Sequence, residues 1–431
     1  MRKRAIVVAG VACLALVVVA GVSPSVASTV VSNGFVTNDL NRDAETDIAI
    51  NPVNPANLIA AWGDSGAKSC GVGYSMDGGQ TWQVSWIHGL NAAEGNPDFA
   101  FAGDPSVGFL NDGTAVVACD AWGPGLAPSA LYTSRSTDGG QTWEPAVELA
   151  RGKKVGHLHD HPMLTIDRYG DRVLLAYTVF LGTKNSYARS YALVSADGGL
   201  TYQGPYEIAA DYRADAPWRF DVSLAGAPDG TIYATAGIWN DISIYSEQAV
   251  VVSQLRPGEA RFTRSVKVRD LVPAPETLPN ELWRTSMQAS IGVEADGTVD
   301  LMTGDYATGN LDIYLAKSTD HGESFPSQTN LTNDEADQVM PWMSVAPNGR
   351  IDVVYYDYTR STATLDAVYG QIPPGGSTMT RQVVDASIPQ GSFMGDYLGI
   401  DSTDAQVALS WTAGRRPYDD WLEIKAASLL P

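Results

Sequence analysis

Apolar and polar residues alternate over short runs along most of the chain, which is typical of β-strands. Asp104–Ala118 reads DPSVGFLNDGTAVVA, and Asp221–Thr235 reads DVSLAGAPDGTIYAT. Each segment has two alternating runs around an Asp-Gly pair, a pattern that predicts an antiparallel hairpin. The same pattern recurs five more times, closely or loosely, in Gln288–Met302, Trp342–Tyr355, Thr46–Trp62, His161–Tyr177 and Asp396–Trp411. The chain is therefore predicted to consist of seven strand-rich units without convincing helices.

A second motif recurs between the hairpins. Its four copies read SMDGGQTW, STDGGQTW, SADGGLTY and STDHGESF, with their aspartates at Asp77, Asp138, Asp197 and Asp320. The first three aspartates follow one another at intervals of about 60 residues. The fourth comes after twice that distance, so a degenerate copy is expected near residues 256–262. The aspartate can accept backbone hydrogen bonds in a tight turn, the glycines permit positive φ, and the closing aromatic can be buried between sheets.

These four segments resemble the Asp-box, or bacterial neuraminidase repeat, of sialidases and related propellers. The resemblance implies an all-β fold, a β-propeller of four-stranded antiparallel blades, in which the boxes are structural turns. Seven hairpin units favour seven blades, with six, the number in the sialidase enzymes, as the alternative. The last unit has only three predicted strands, and the apolar segment Thr29–Val36 could supply the fourth and close the ring.

The N-terminus predicts export. Arg2, Lys3 and Arg4 precede an apolar run, and Ser25-Val26-Ala27 offers small residues for a signal peptidase. We therefore expect a signal peptide over residues 1–28 and one propeller domain over residues 29–431. The mature protein is expected to be secreted and monomeric, without a membrane anchor.

The net charge bears on the class of binding partner, and the cysteines bear on a possible disulfide. The net charge of −21 repels nucleic acid and leaves an extracellular glycan or glycoprotein as the predicted partner. Cys70 and Cys119 could form one disulfide or remain two separate buried thiols.

The order of strands within a unit assigns its loops to two faces. We name the strands A to D from the innermost outward, so that the A–B turns and the Asp-boxes share one face. The opposite face is expected to carry the functional site. Its D–A connections include residues 152–162, 211–220 and 269–287, and its B–C loops include residues 121–129, 358–364 and 413–420.

Acidic residues recur where strand A begins, and in a closed ring these positions converge on a central funnel. They are Glu45, Asp47, Asp104, Asp160, Asp221, Asp337 and Asp396. Such carboxylates could hold a structural Ca²⁺ ion, or each could cap backbone N–H groups nearby. No cofactor is expected to be required.

The resemblance to sialidases implies three arginines that grip a sugar carboxylate, a tyrosine nucleophile and an aspartate acid. The Arg-Ile-Pro motif of those enzymes is missing, and the first inner strand offers only Arg42 and Asp43. Ion pairing at the surface is the alternative explanation for each arginine. The candidate arginines for binding the sugar carboxylate are Arg219, Arg284, Arg360, Arg415 and Arg416. The candidate catalytic residues are Tyr358, Tyr397, Asp64 and Asp104.

Histidines and tryptophans add further candidates. His157, His159 and His161 form HLHDH, which could bind a transition metal or supply the base of a lyase. His161 could instead mark only the start of a strand, as Asp104 does in its unit. Trp342 and Trp218 could stack on sugar rings or pack in the core.

Three functions remain open. The first is a secreted glycan-active enzyme, most specifically a sialidase-type exo-glycosidase, which requires clustered arginines beside catalytic carboxyl or tyrosine groups. The second is a non-catalytic propeller that binds glycans or proteins through exposed aromatic residues. The third is a polysaccharide lyase, which needs a histidine or tyrosine base beside an arginine.

Overall fold

The alternating segments form β-strands throughout the part of the chain that the computed structural model describes. That part comprises residues 28–39, 41–182, 184–213, 215–239, 247–285, 287–416 and 421–431. The signal-peptide segment before Ser28 lies outside it. The described helical structure is the 3₁₀-helix Ala92–Glu94. Within the described ranges, no helix has the length and apolar character needed to cross a membrane.

Five sheets have four antiparallel strands each. The first two contain, in order, β2 (Asp43–Ile50), β3 (Leu58–Asp64), β4 (Ser69–Ser75) and β5 (Gln83–Trp86), then β6 (Phe101–Phe109), β7 (Ala115–Trp122), β8 (Ser129–Ser136) and β9 (Val147–Gly152). The next two contain β19 (Ala289–Val293), β20 (Val299–Asp305), β21 (Asp312–Ser318) and β22 (Ser327–Asn330), then β23 (Asp337–Val345), β24 (Ile351–Thr359), β25 (Thr364–Ile372) and β26 (Thr380–Pro389). The fifth combines β27 (Gly399–Ser402), β28 (Val407–Gly414) and β29 (Leu422–Leu430) with the N-terminal strand β1 (Thr29–Phe35).

The sixth sheet has nine strands, because two repeat units are joined in it. One unit supplies β10 (His157–Asp167), β11 (Arg172–Leu181), β12 (Tyr187–Ser195) and β13 (Gln203–Glu207). The other supplies β14 (Trp218–Phe220), β15 (Leu224–Gly226), β16 (Ile232–Trp239), β17 (Glu247–Leu255) and β18 (Thr263–Asp270).

The propeller of four-stranded antiparallel blades is confirmed, but the predicted number of blades is wrong. Five four-stranded blades are separate sheets, and neither seven nor six such sheets exist in the described chain. The reason is the connection after β13, which returns to the preceding unit. Its strand β14 pairs in parallel with β12 at Ala188 and Trp218 and antiparallel with β16, so the two units share one sheet.

The innermost strands nevertheless form one closed ring. Strands β2, β6, β10, β15, β19, β23 and β27 contact one another in this order, and β27 contacts β2. The last blade is completed as predicted, because β1 pairs antiparallel with β29 from Thr29 to Phe35. Strands from the two ends of the described chain are therefore held together in one blade.

The Asp-boxes are the predicted turns between strands C and D. In the second box, Asp138 accepts a hydrogen bond of 2.9 Å from the Thr142 N–H and one of 2.6 Å from its hydroxyl. Gly139 and Gly140 have φ of 78° and 89°. The closing Trp143 donates a hydrogen bond of 3.0 Å to Ser85 of the preceding blade. The box therefore shapes its own hairpin and also joins two blades.

The predicted division into two faces is confirmed. Asn57, in the first A–B turn, donates a hydrogen bond of 3.0 Å to the backbone of Gly139 in the second Asp-box. The A–B turns and the boxes therefore lie on the same face. The beginnings of the A strands, the B–C loops and the D–A connections lie at the opposite face, where the candidate site is found.

Candidate functional site

A cavity of about 350 Å³ lies where the A strands begin, on the face away from the Asp-boxes. Small-molecule sites typically occupy about 300–1,000 Å³. The cavity is strongly acidic, and among the described residues that line it Arg284 is the one arginine. Its six carboxyl groups belong to Glu45, Asp104, Asp160, Asp221, Glu247 and Asp396.

A repeated irregularity of the inner strands directs side chains to this cavity. The register of β2, β6 and β10 shifts beside Glu45, Asp104 and His161, which is the mark of a β-bulge. These residues have φ of 59°, 48° and 56°, and Asp221 between β14 and β15 has φ of 53°. Asp and His adopt this left-handed conformation more readily than most side chains. The residue types at the bulges therefore suit both the backbone and the cavity.

Three aspartates from adjoining strands meet in one small volume. Asp104 in β6, Asp120 in β7 and Asp160 in β10 each offer a carboxylate oxygen, and these oxygens lie within 4.8 Å of one another. Asp120 is fully buried, and neither of its oxygens has a hydrogen-bond partner among the described residues. Burial and the charges of Asp104 and Asp160 hold the pKa of Asp120 well above its ordinary value. Burial and the charge of Asp104 raise the pKa of Asp160 to about 8.

A second carboxyl pair, Asp221 and Glu247, lies at the part of the cavity formed by the nine-stranded sheet. Asp221 is 5% exposed and Glu247 is 1% exposed. Burial, followed by the charge of Asp396, raises the pKa of Asp221 from 3.8 to about 8. Burial and the charge of Asp221 also raise the pKa of Glu247. Gly237 leaves the space for the Glu247 carboxylate, since a Cβ at this glycine would collide with it.

Arg284 and Asp396 form the charged pair of the cavity. The guanidinium holds the carboxylate in a bidentate arrangement, with a hydrogen bond of 2.8 Å from Nε to Oδ1 and a second from Nη2 to Oδ2. Bidentate pairing fixes the orientation of both groups. Arg284 also lies 5.3 Å from the ring centre of Phe393. Its charge is therefore already partnered within the protein.

Aromatic side chains form an apolar wall beside the acidic groups. Trp218 lies 5.2 Å from Phe180 and 5.9 Å from Trp239, measured between ring centres. Phe220 lies 5.3 Å from Phe180 and is half-buried, whereas the other three rings are buried. Such a wall can pack against the apolar face of a sugar ring.

The HLHDH segment does not bring its three histidines together. His159 stacks between His157 and Tyr177, at ring distances of 5.2 and 5.8 Å, and burial lowers its pKa to about 4. The bulge turns His161 away, toward Phe220 and Tyr397. His161 lines the cavity, is 4% exposed, and has no hydrogen-bond partner for either ring nitrogen among the described residues.

Three predicted grip arginines lie outside the cavity, each paired with a carboxylate. Arg219 is 2% exposed and contacts Glu207 at 3.2 Å. Arg360 binds Asp337 through hydrogen bonds of 2.6 and 2.7 Å. Arg415 contacts Glu423 at 2.9 Å. Ion pairing explains these arginines, although Arg219 is buried rather than at the surface, and it also explains Asp337, whose oxygens accept hydrogen bonds from Arg360.

The tyrosines and Asp64 that were predicted to be catalytic form hydrogen bonds with the backbone outside the cavity. Tyr358 donates a hydrogen bond of 2.9 Å to the Pro279 carbonyl, and Tyr397 donates one of 3.0 Å to the Pro105 carbonyl. Both tyrosines are buried and neither lines the acidic cavity. Asp64 accepts a hydrogen bond of 2.8 Å from the Ala67 N–H, away from Asp104. Of the four predicted catalytic residues, the structure places Asp104 in the cavity.

Trp342 and Asp47 belong to a second cavity, of about 280 Å³, at the other end of the inner strands. Asp47 caps the neighbouring strand, accepting hydrogen bonds of 2.7 and 2.9 Å from Ser106 and Val107. Trp342 packs against two core clusters. The capping and packing explanations fit these two residues.

The sequence interpretation missed Asp120, Glu247 and Trp239. A signal for Asp120 exists, because it is the one charged residue in the apolar strand β7, AVVACDAW. A buried charge within such a strand is rare without a partner. Glu247 begins β17 and carries no such local signal.

Cys70 and Cys119 form the bridge between the first two blades, with their Cα atoms 6.7 Å apart. Both sulfurs lie at the face of the candidate site, as the repeat positions permitted. The bridge ties β4 to β7, the strand that also carries Asp120.

Known proteins resemble the chain in sequence and in fold. The BNR/Asp-box repeat family matches residues 134–145, within the second box. A sialidase from Micromonospora viridifaciens is 22% identical over 273 residues, which are 55% of this chain and 37% of that sialidase. The chain therefore spans little more than a third of the length of this relative.

Solved structures extend the likeness to nearly the whole chain. The GH93 α-L-arabinofuranosidase of Fusarium graminearum, bound to arabinobiose, has a TM-score of 0.53 at 13% identity and covers 94% of this chain and 98% of its own. A PL25 polysaccharide lyase, an ulvan lyase, has a TM-score of 0.51 at 12% identity, covering 91% and 95%. At such identities the likeness concerns the fold. The resemblance indicated by the Asp-boxes is confirmed: the chain is a β-propeller that carries a BNR/Asp-box repeat, and part of it is similar in sequence to a sialidase.

Proposed function

We propose that the protein is a glycoside hydrolase that uses two carboxyl groups of the acidic cavity, Asp221 and Asp396. The observation that carries this proposal is their contrast within one cavity. Asp221 is buried with a pKa raised to about 8, and Asp396 is held by a bidentate guanidinium. Glycosidases commonly need one protonated and one ionised carboxyl group beside the scissile bond.

Each group then has a defined task. Asp221 gives its proton to the glycosidic oxygen as the bond from that oxygen to the anomeric carbon breaks. The Asp396 carboxylate either attacks the anomeric carbon or takes a proton from the water that attacks it. Arg284 orients Asp396 through its two hydrogen bonds to the carboxylate. The wall of Phe180, Trp218, Phe220 and Trp239 would hold the sugar ring.

The charge of the cavity favours a neutral glycan. Six carboxyl groups line it against one arginine, and that arginine is paired with Asp396. A sugar carboxylate would have to compete with Asp396 for Arg284, the one arginine among the described residues that line the cavity. We therefore favour neutral sugar residues over sialic acid as substrate. The basic and apolar N-terminus supports an extracellular glycan.

The test is a hydrolysis screen with the mature protein. Its substrates are a panel of neutral aryl glycosides and oligosaccharides, a fluorogenic sialoside, and uronic-acid polymers. Hydrolysis of a neutral glycan is expected. Release of sialic acid would support the sialidase-type activity instead, and unsaturated products from a uronic-acid polymer would indicate a lyase. Binding on a glycan array without any product would indicate a non-catalytic propeller.

The variants Asp221→Asn and Asp396→Asn should each abolish hydrolysis, since each removes a proton donor or a nucleophile while keeping the side-chain shape. Asp215→Asn is the control, because Asp215 is exposed in the connection that precedes β14, close in sequence to Asp221. Activity that survives both cavity variants would refute the assignment.

A further inference from the structure

The buried trio Asp104, Asp120 and Asp160 has no evident purpose as a set of bare carboxyl groups. The proposed hydrolysis uses Asp221 and Asp396 instead. In the described chain, no lysine or arginine lies within ion-pair distance of any of the three aspartates. Carboxyl groups crowded in this way repel one another and lose hydration, so they are either protonated or neutralised by a counter-charge.

Asp120 provides an observation independent of the acidic positions at the strand beginnings. It comes from β7, the second strand of its blade, rather than from a bulge, it is fully buried, and no described side chain outside the trio hydrogen-bonds to its oxygens. One of them lies within 4.8 Å of the oxygens of Asp104 and Asp160. A buried carboxylate that points at two other carboxylates is explained by an ion bound between the three groups.

We propose that Asp104, Asp120 and Asp160 bind a hard divalent cation, Ca²⁺ in preference to Mg²⁺. The donors are all carboxylate oxygens, which these cations prefer. Mg²⁺ usually keeps several waters and is bound through one or two carboxylates, whereas Ca²⁺ takes six to eight oxygens in a flexible geometry. Three carboxylates from three strands therefore favour Ca²⁺.

The protein would coordinate the cation on one side, and the other side would face the cavity. Asp120 lies behind the cavity wall, whereas Asp104 and Asp160 line the cavity itself. Ca²⁺ takes six to eight oxygens, so three carboxylates leave positions for water or a ligand hydroxyl on the cavity side. The cation would join β6, β7 and β10, which belong to two different sheets.

A second acidic group, Asp39, Asp43 and Glu423, also has oxygens within 4.8 Å of one another. It is the weaker candidate. Glu423 already contacts Arg415 at 2.9 Å and accepts a hydrogen bond of 2.8 Å from Thr37, and Asp39 is exposed. Asp43 is nevertheless fully buried with both oxygens unpartnered, as Asp120 is. It therefore offers a matched control.

The experiment is calorimetric titration of the chelator-treated mature protein with CaCl₂ and, separately, with MgCl₂. We expect one Ca²⁺ site per chain, and Asp120→Asn should weaken Ca²⁺ binding by at least about tenfold. Asp43→Asn makes the same chemical change at a comparably buried position and should leave Ca²⁺ binding unchanged. Asp104→Asn provides a second test if Asp120→Asn does not fold, as judged by circular dichroism.

Three results would overturn the proposal: no Ca²⁺ binding by the unmodified protein, unchanged binding by both Asp120→Asn and Asp104→Asn, or loss of binding in Asp43→Asn. Tighter binding of Mg²⁺ than of Ca²⁺ would refute the stated preference. No glycan is present in this titration. Its outcome is therefore separate from that of the hydrolysis screen, which tests Asp221 and Asp396.

Discussion

Asp221→Asn should stabilise the folded protein at neutral and alkaline pH, although it should abolish the proposed hydrolysis. The folded protein raises the pKa of this carboxyl group from 3.8 to about 8 by burial and by the charge of Asp396. Ionisation of Asp221 above its ordinary pKa therefore favours the unfolded chain, where the group is hydrated. Asn cannot ionise, and it tolerates the φ of 53° at this position.

The magnitude follows from the pKa shift. A raised pKa in the folded state contributes stability that is fully present below pH 3.8 and is lost as the pH rises to about 8. Each pKa unit is equivalent to about 1.4 kcal/mol. At pH 7 the Asp221 carboxyl group therefore lowers the free energy of unfolding of the unmodified protein by up to about 4 kcal/mol. The buried amide of Asn also lacks a full set of partners, which offsets part of the gain. We expect a net stabilisation of about 2 kcal/mol at pH 7.

The assay is urea unfolding of both proteins followed by tryptophan fluorescence, from pH 4 to pH 8. At pH 4 the variant should be less stable by about 2 kcal/mol, because only the cost of the buried amide remains, and it should become progressively more stable than the unmodified protein as the pH rises toward 8. Asp215→Asn, the exposed control, should follow the unmodified protein throughout within about 0.5 kcal/mol. If Asp221→Asn also follows the unmodified protein at every pH, Asp221 is not a buried neutral carboxyl group.

Three further results are expected. Replacing both Cys70 and Cys119 by Ala opens a loop spanning 49 residues and should cost about 4 kcal/mol in urea unfolding; equal stability would show that the bridge does not constrain the unfolded chain. Asp138→Ala removes the hydrogen bonds to Thr142 and should cost about 1 kcal/mol in the same measurement, because the carboxylate is exposed to water; no loss would contradict a structural role for the box. Tyr397→Phe leaves the Pro105 carbonyl without its donor and should cost about 1 kcal/mol but keep hydrolytic activity in the glycan screen; loss of activity in a folded variant would restore Tyr397 as a nucleophile.

Local patterns predicted the hairpins and turns because their interactions span only a few residues. The Asp-Gly turn at Asp112-Gly113 joins β6 to β7, and Asp138 binds Thr142 four residues later. The closing strand β1 was predicted because the last unit lacked one strand of a repeating set. The same repetition located the acidic face, since it assigned every A strand the same direction.

The positions of the arginines could not be predicted in this way. In the sequence, Arg219, Arg360 and Arg415 are as good candidates as Arg284 for the face opposite the Asp-boxes. In the structure, each of them is paired with a nearby carboxylate outside the cavity. An arginine binds the nearest favourable acceptor, and which acceptor is nearest depends on side chains from distant parts of the chain. The number of separate sheets could not be predicted either. It depends on the pairing of Ala188 with Trp218, which the connection after β13 makes possible.

By itself, the sequence determined an all-β propeller with Asp-box turns, a closing N-terminal strand and carboxyl groups at the beginnings of the inner strands. The tertiary structure decided which of those carboxyl groups share a volume, and it added Asp120 and Glu247 to them. It also decided that Asp47 and Trp342 face the other end of the ring. The physical reason is that turns arise from neighbouring residues, whereas the cavity arises from ring closure and from the bulges that re-aim individual side chains.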